Sequence, residues 1–294
     1  MINILLTGHS GFLGTHIKKY LAKKDYNVVK LGRSKDSDIV CDLSIETFKS
    51  DNIDFVVHAA GKAHVIPKSK DEINAFYKVN FQGTKNLIQG VSKCNIKTII
   101  FISTVAVYGK DTGELIDENE PLNGCSPYAV SKIKSEEILQ VYGKKHNVRI
   151  VVLRLPLITG ENPVGNLRSI TVAIKKGYYF RIGNGEAKKS IISASDVARA
   201  IPELFKLSGV YNYTDCVHPR ICEIDNKIAT NHNKKIKVLP LYLMRFLSKI
   251  GDFFPFFPFD KSKFEKLTTT LTFSNEKILK KIQLRPINGI QAIK

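Results

Sequence analysis

From Ile2 to Leu155, short runs of branched apolar residues (INILLT, NVVKL, DFVVHAA, TIIFIST, RIVVLRL) alternate with longer stretches of helical character (GFLGTHIKKYLAKK, EINAFYKVNFQGTKNLIQGVSK, YAVSKIKSEEILQVYGKKH). The apolar runs do not alternate with polar residues and are rich in Val and Ile, as strands covered on both faces are. Strand and helix in turn predict an α/β fold, a doubly wound parallel sheet. The chain of 294 residues has room for one large α/β domain or for two lobes around a cleft. After Arg154 the pattern breaks: LPLITGENPVGNLRS, rich in Pro, Gly and Asn, reads as a crossover into a smaller, mostly helical C-terminal lobe. KSIISASDVARAIPELFKLSGVYNYT then returns to the main sheet. The expected division is residues 1–160 with about 189–214 in the sheet domain, and about 161–188 with 215–294 in the lobe.

The first strand runs into TGHSGFLG, residues 7 to 14, where Gly8, Gly11 and Gly14 stand with Ser10, Phe12 and Leu13 at the entry to an amphipathic helix. Glycine permits the tight turn and a close approach of backbone to a pyrophosphate, whose charge the helix N-terminus meets. A glycine pattern between a strand and a helix is the context of a Rossmann-type dinucleotide site. The second strand ends at LGRS without the acid that meets a free ribose 2'-hydroxyl. Arg33 and Ser34 there suit a 2'-phosphate, which predicts NADP over NAD, with NAD the alternative. Asp42 and Leu43 are expected to border the adenine, and Ala59, Ala60 and Gly61 to let the backbone near the cofactor. His58 and His64 are expected to be structural.

PYAVSK opens a helix on which Tyr128 and Lys132 are four apart, placing phenol and ammonium on one face. The cation is expected to lower the phenol pKa toward a useful acid/base value. Ser103 and Thr104, at the end of the TIIFIST run, are placed to hydrogen-bond a substrate oxygen. TGHSGFLG, HAAGKA, VNFQGT, STVAVYG and Y-x-x-x-K, in this order, resemble the extended short-chain dehydrogenase/reductase family of nucleotide-sugar epimerases, dehydratases and reductases. The resemblance covers nearly the whole chain, through LRLPLITGENPVGNL and KKSIISASDVARAI to FSNEKILKKIQLRPINGIQAI. It implies that Thr104 bonds the C4 oxygen of the sugar with Ser103 beside it, that Tyr128 is the acid/base, and that Lys132 holds the nicotinamide ribose. It further implies cofactor contacts for Asn80 and Lys62, a substrate-diphosphate contact for Asn166, and a substrate role for Lys189, which stands where an arginine is common. Leu155 and Thr159 also depart from the family pattern, where Pro and Tyr are expected.

Within the family, 4,6-dehydratases resemble STDEVYG, with an Asp-Glu pair that moves protons during water loss. Val105 and Ala106 occupy those places and carry no proton, which argues against dehydration. The NADP-like pocket and the C-terminal half, similar to bacterial enzymes of surface-polysaccharide sugars, lead to an NADP-dependent reductase of a UDP-4-keto-6-deoxy-N-acetylhexosamine as the first expectation. A UDP-sugar 4-epimerase with NAD is the alternative, and a dinucleotide-binding sensor or scaffold without turnover is the second.

Forty-five Lys and Arg against 27 Asp and Glu leave a net charge of +18, spread along the chain and without a compact basic segment interleaved with aromatics. This favours small anionic substrates over a specific nucleic-acid partner. Five cysteines without a C-x-x-C pair predict reduced thiols, and the spacing of CVHPRIC fits no zinc pattern, so no metal site is expected. No apolar run reaches the roughly 20 residues that span a bilayer, and MINILLTGHSG carries no secretory leader, so a cytoplasmic protein is expected. The resemblance allows a homodimer through helices at 71–92 and 127–146. The Phe-rich DFFPFFPFD, residues 252 to 260, reads as core, with a dimer contact or a membrane-surface patch as the other options.

Overall fold

In a computed structural model, residues 1–63, 65–253 and 261–294 are described, residues 247, 249–253, 262 and 263 by backbone alone. His64 and the Phe-rich segment, as 254–260 and the side chains of 252 and 253, lie outside the described residues. The first half runs β1 (Asn3–Thr7), α1 (Phe12–Ala22), β2 (Asn27–Gly32), β3 (Ile39–Val40), β4 (Phe55–His58), α2 (Lys70–Phe76), a π-helical stretch (Tyr77–Gln82), α3 (Gly83–Gly90), β5 (Thr98–Thr104), a 3-10 turn (Val105–Tyr108), β6 (Gly113–Ile116) and α4 (Pro127–His146). The second half runs β7 (Arg149–Leu155), β8 (Leu157–Thr159), α5 (Gly165–Lys176), β9 (Phe180–Ile182), β10 (Ile191–Ser193), α6 (Ala194–Leu204), β11 (Gly209–Asn212), α7 (Ile221–Asn231), β12 (Lys237–Leu239), α8 (Leu241–Phe253), α9 (Lys261–Thr268), β13 (Leu271–Phe273), α10 (Glu276–Leu279) and a closing 3-10 turn (Gly289–Ala292).

The main sheet is parallel throughout, in the order β11-β7-β5-β4-β1-β2-β3. Successive strand residues enter opposite faces. Ile4, Leu6, Val57, Ile100, Ile102, Val151 and Leu153 pack with Ile17 and Leu21 of α1 and Val197, Ile201 and Leu204 of α6. Leu5, Val56, Ile99, Phe101 and Val152 pack with Leu87 of α3 and Leu139 of α4 on the other side. Both faces are apolar because both are covered, which is why the strand runs show no period of two. The chain leaves β1 toward β2 on one side and returns to β4 on the other. That reversal opens a crevice beyond the carboxyl ends of β1 and β4, the place where such sheets bind ligands.

Two features differ from the sequence reading. The long helical stretch 72–93 is interrupted by the π-helical turn. The Asn80 carbonyl accepts from the hydroxyls of Thr84, 2.6 Å, and Ser135, 3.2 Å, which competes with the regular ladder. In the stretch 189–214, only β11 joins the main sheet, while β10 pairs with β8. The C-terminal part has its own apolar cluster, Leu167 and Ile174 of α5 against Ile224 and Ile228 of α7. β13 reaches back to pair with β6, the segment that follows the 3-10 turn after β5.

Candidate active site

β1 delivers the glycine loop to the crevice. Gly8 has φ +70, and a Cβ built on it would lie 2.6 Å from Ala60 N. At Gly14 a Cβ would lie 2.0 Å from the Gly8 carbonyl oxygen. Both positions therefore require glycine for the helix to start this close to the strand end. No side chain caps α1 and no acid sits in its first turn, so its first N–H groups are free for an anion. Gly14→Ala is expected to weaken dinucleotide binding by about 5- to 150-fold, because a methyl forced into a packed position costs about 1–3 kcal/mol. Calorimetric titration measures this, and an unchanged affinity would remove the loop from the binding site.

Across the crevice, β4 delivers residues 59–63. Thr7 Oγ1 accepts from Ala60 N at 3.1 Å, and Asn80 grips the Lys62 backbone from both sides, accepting from its N–H at 2.7 Å and donating to its carbonyl at 3.1 Å. Asn80 also donates to Ser131 Oγ on α4, 2.8 Å, so its amide ties this loop to α4. The Lys62 side chain lies over the Phe76 ring. His58 is buried between the hydroxyls of Thr7 and Thr84, at 2.7 and 3.0 Å, and burial pushes its imidazole down to about 3. It is a neutral structural histidine.

Ser126 caps α4, accepting from Ala129 N, and Pro127 stands in its first turn, which sets Tyr128 and Lys132 toward the end of β5. Lys132 is 4 % exposed; its Nζ donates to the Ile102 carbonyl at 2.8 Å and sits 4.5 Å from the centre of the Phe101 ring. Burial pulls this ammonium down to about 8, against the pull of the Glu136 carboxylate in the opposite direction. The phenol of Tyr128 is not lowered as expected. Burial pushes it up to about 12, and the nearby Thr104 hydroxyl opposes the shift. Lys132 spends its charge on Ile102 and Glu136 instead.

The Ser103 hydroxyl donates to buried Glu136, which leaves its lone pairs to accept from a substrate hydroxyl. Glu136 also accepts from Arg154, with Nη2 at 2.6 Å, and Arg154 donates to the Tyr108 hydroxyl, which donates to Asn212 at 2.7 Å. This buried network beneath the site was missed, although Glu136 follows Lys132 at the same spacing by which Lys132 follows Tyr128.

Gly8, Gly11, Phe12, Leu13, Gly14, Ala59, Gly61, Ser103, Thr104, Tyr128 and Lys132 line one cavity of about 320 Å³. Leu155, Pro156, Leu157, Ile158 and Val164 line the same cavity, none of which was singled out as a site residue. Asn166 lies in the first turn of α5, exposed, two residues beyond Val164 and outside this lining. Lys189 does not reach it either: its ammonium donates to the Thr269 carbonyl at 2.9 Å. Ser10 is exposed in the glycine loop. Arg33 is 78 % exposed and 3.9 Å from Asp42, whereas the Ser34 hydroxyl is taken by Asp36. Of the pair expected to meet a 2'-phosphate, only Arg33 keeps free donors. Asp42 binds Ser44, and the Leu43 carbonyl accepts from Asn86. His9, unremarked in the sequence, is buried behind Gly32 with Nε2 2.9 Å from Ser37 Oγ. The five cysteines are free, and no group of metal-ligating side chains occurs among the described residues.

A glycine cradle that only backbone can fill, an uncapped helix and a buried ammonium with unused donors fit a dinucleotide. Among solved structures, the UDP-glucose 4-epimerase of Thermus thermophilus in complex with NAD is 22 % identical, covering 99 % of this chain and 97 % of that one, with a TM-score of 0.73. RMD of Pseudomonas aeruginosa complexed with NADPH is 20 % identical, covering 99 % and 98 %, with a TM-score of 0.74. In sequence, the N-acetyl-α-D-glucosaminyl-diphospho-ditrans,octacis-undecaprenol 4-epimerase of Escherichia coli O157:H7 is 30 % identical over 81 % of this chain and 75 % of its own length. The model of the NAD dependent epimerase/dehydratase family matches residues 4–210, from the first sheet strand to the last, and the chain belongs to that family.

Proposed function

We propose that this protein is a 4-epimerase of a diphosphate-linked sugar. The observation that carries the reading is one cavity holding both the glycine cradle and Thr104, Tyr128 and Lys132, in a chain 30 % identical to a 4-epimerase over most of its length. That likeness favours return of the hydride, the alternative raised from sequence, over its single delivery by a reductase. When bound, NAD or NADP supplies the site with a hydride acceptor that can give the hydride back. The glycine loop and the α1 N-terminus hold the pyrophosphate, and Lys132 offers its unused donors to ribose hydroxyls. Tyr128, as the phenolate, takes the proton of the sugar C4 hydroxyl and returns it, with Thr104 beside the phenol and holding the same oxygen. The wall from Leu155 to Ile158 offers the sugar no hydrogen bonds from its apolar side chains, which suits a ring that must turn over between the two hydride transfers. Val105 and Ala106, in the turn after Thr104, leave no acid/base pair for water loss.

The carrier of the sugar has two readings. UDP is the first, and a polyprenyl diphosphate, the carrier in the name of the E. coli relative, is the second. Incubation with UDP-N-acetylglucosamine, UDP-glucose or polyprenyl-diphospho-N-acetylglucosamine, without added cofactor, is expected to yield the 4-epimer of one of them, read by proton NMR of the released sugar. NADPH consumption with a UDP-4-keto-6-deoxy sugar, and no epimer from any of the three, would overturn the reading in favour of the reductase.

A further inference from the structure

The C-terminal part of the chain exposes an apolar surface that the cavity does not use. β9 and β12 pair in parallel, with Phe180 opposite Lys237, and α8 starts two residues after β12 with Leu241 against Gly183. Tyr242 is 78 %, Phe246 62 % and Leu243 40 % exposed. Spacings of three and four place these three side chains on one stripe of the helix, while Ser248 turns inward. Exposed Phe180 and Val238 extend the surface onto the adjoining strands. Single exposed apolar residues are ordinary; a contiguous set is a contact surface.

The charges around it have one sign. Residues 227–251 contain six Lys and Arg and no Asp or Glu, and residues 162–185 contain four and none. Lys175, Lys176, Lys234, Lys235, Lys237 and Arg245 are exposed, and the Lys237 ammonium lies 5.9 Å from the centre of the Phe180 ring. A second copy seated on this face would set lysine against lysine. A nucleic acid would leave Leu243 and Val238 without partners. An apolar helix stripe rimmed by lysines matches an anionic bilayer, whose headgroups pair with the ammonium groups while the stripe enters the acyl boundary.

We propose that the start of α8, with β9 and β12, docks the protein on anionic lipid membrane surfaces. This holds whichever carrier bears the sugar. The full-length protein is expected to sediment with vesicles of phosphatidylcholine and phosphatidylglycerol, and to stay in solution with phosphatidylcholine alone or at high salt. Lys234→Gln with Lys235→Gln is expected to weaken vesicle binding by roughly 30-fold, at about fivefold per lysine. Tyr242→Ser with Phe246→Ser is expected to weaken it similarly, with the melting temperature and turnover of a soluble substrate unchanged. Three results would overturn the proposal: no sedimentation with the anionic vesicles; binding indifferent to both double substitutions; or a concentration-dependent dimer that Tyr242→Ser with Phe246→Ser dissolves while vesicle binding persists.

Discussion

Tyr128→Phe is expected to lower kcat by about 10²–10⁴-fold, the usual contribution of a positioned acid/base, with dinucleotide affinity and melting temperature little changed. The ring stays and keeps its contact with Phe76, 6.2 Å between centres. Only the hydroxyl that meets Thr104 is lost. Steady-state kinetics beside a dinucleotide titration separate the two effects, and turnover near that of the native protein would remove Tyr128 from proton transfer. The pH profile carries a second signature. Lys132 is needed charged to hold ribose, and its pKa in the fold is about 8, so dinucleotide affinity is expected to be full below that value and to fall as pH rises through it. Since the phenol itself lies near 12 in the free protein, a falling limb near pH 8 reports Lys132, whereas deprotonation of Tyr128 would raise turnover with pH.

Arg154→Met is expected to destabilise the protein by about 3–5 kcal/mol, because it strands a buried carboxylate. Glu136 is 1 % exposed and takes its strongest hydrogen bonds from Arg154 and Ser103. Removing the guanidinium also leaves the Tyr108 hydroxyl without the donor 3.1 Å away. Adding Glu136→Gln in the same chain should recover part of the loss, since a neutral amide is cheaper to bury than a lone charge. Urea unfolding of the dinucleotide-free protein measures both. A midpoint for Arg154→Met equal to that of the native protein would show that the carboxylate finds water or a proton at little cost. Glu136→Gln alone bears on dinucleotide affinity as well. The carboxylate raises the Lys132 pKa, so its loss moves the alkaline limb to lower pH.

The sheet and the placing of Tyr128 with Lys132 were legible because each rests on near-neighbour spacing. Val and Ile runs such as TIIFI mark strands covered twice, and both sides of β5 are indeed packed, Ile100 and Ile102 on one and Ile99 and Phe101 on the other. Tyr128 and Lys132 share a helix face by a spacing of four, and the glycine loop sits between β1 and α1 as its pattern implies. The reading was silent where a side chain's partner comes from far along the chain. The Ser103 hydroxyl donates to Glu136, 33 residues on. The Lys189 ammonium donates to the carbonyl of Thr269, 80 residues on. The Tyr128 phenol was expected to be lowered by Lys132, yet burial by surrounding segments dominates, and the ammonium turns to Ile102.

Sequence by itself determined the strand and helix periods, the glycine turn that only a missing Cβ allows, and the absence of a proton carrier at Val105 and Ala106. Each of these is a property of a residue and its neighbours within a turn or two. Tertiary structure alone decided which partner each hydroxyl finds, how far each proton is held from its ordinary pKa, and that Leu155 to Ile158 line one cavity with Thr104. Desolvation and hydrogen-bond partners are set by whatever packs across the gap, and in a sheet ordered β11-β7-β5-β4-β1-β2-β3 those neighbours are seldom neighbours in the chain.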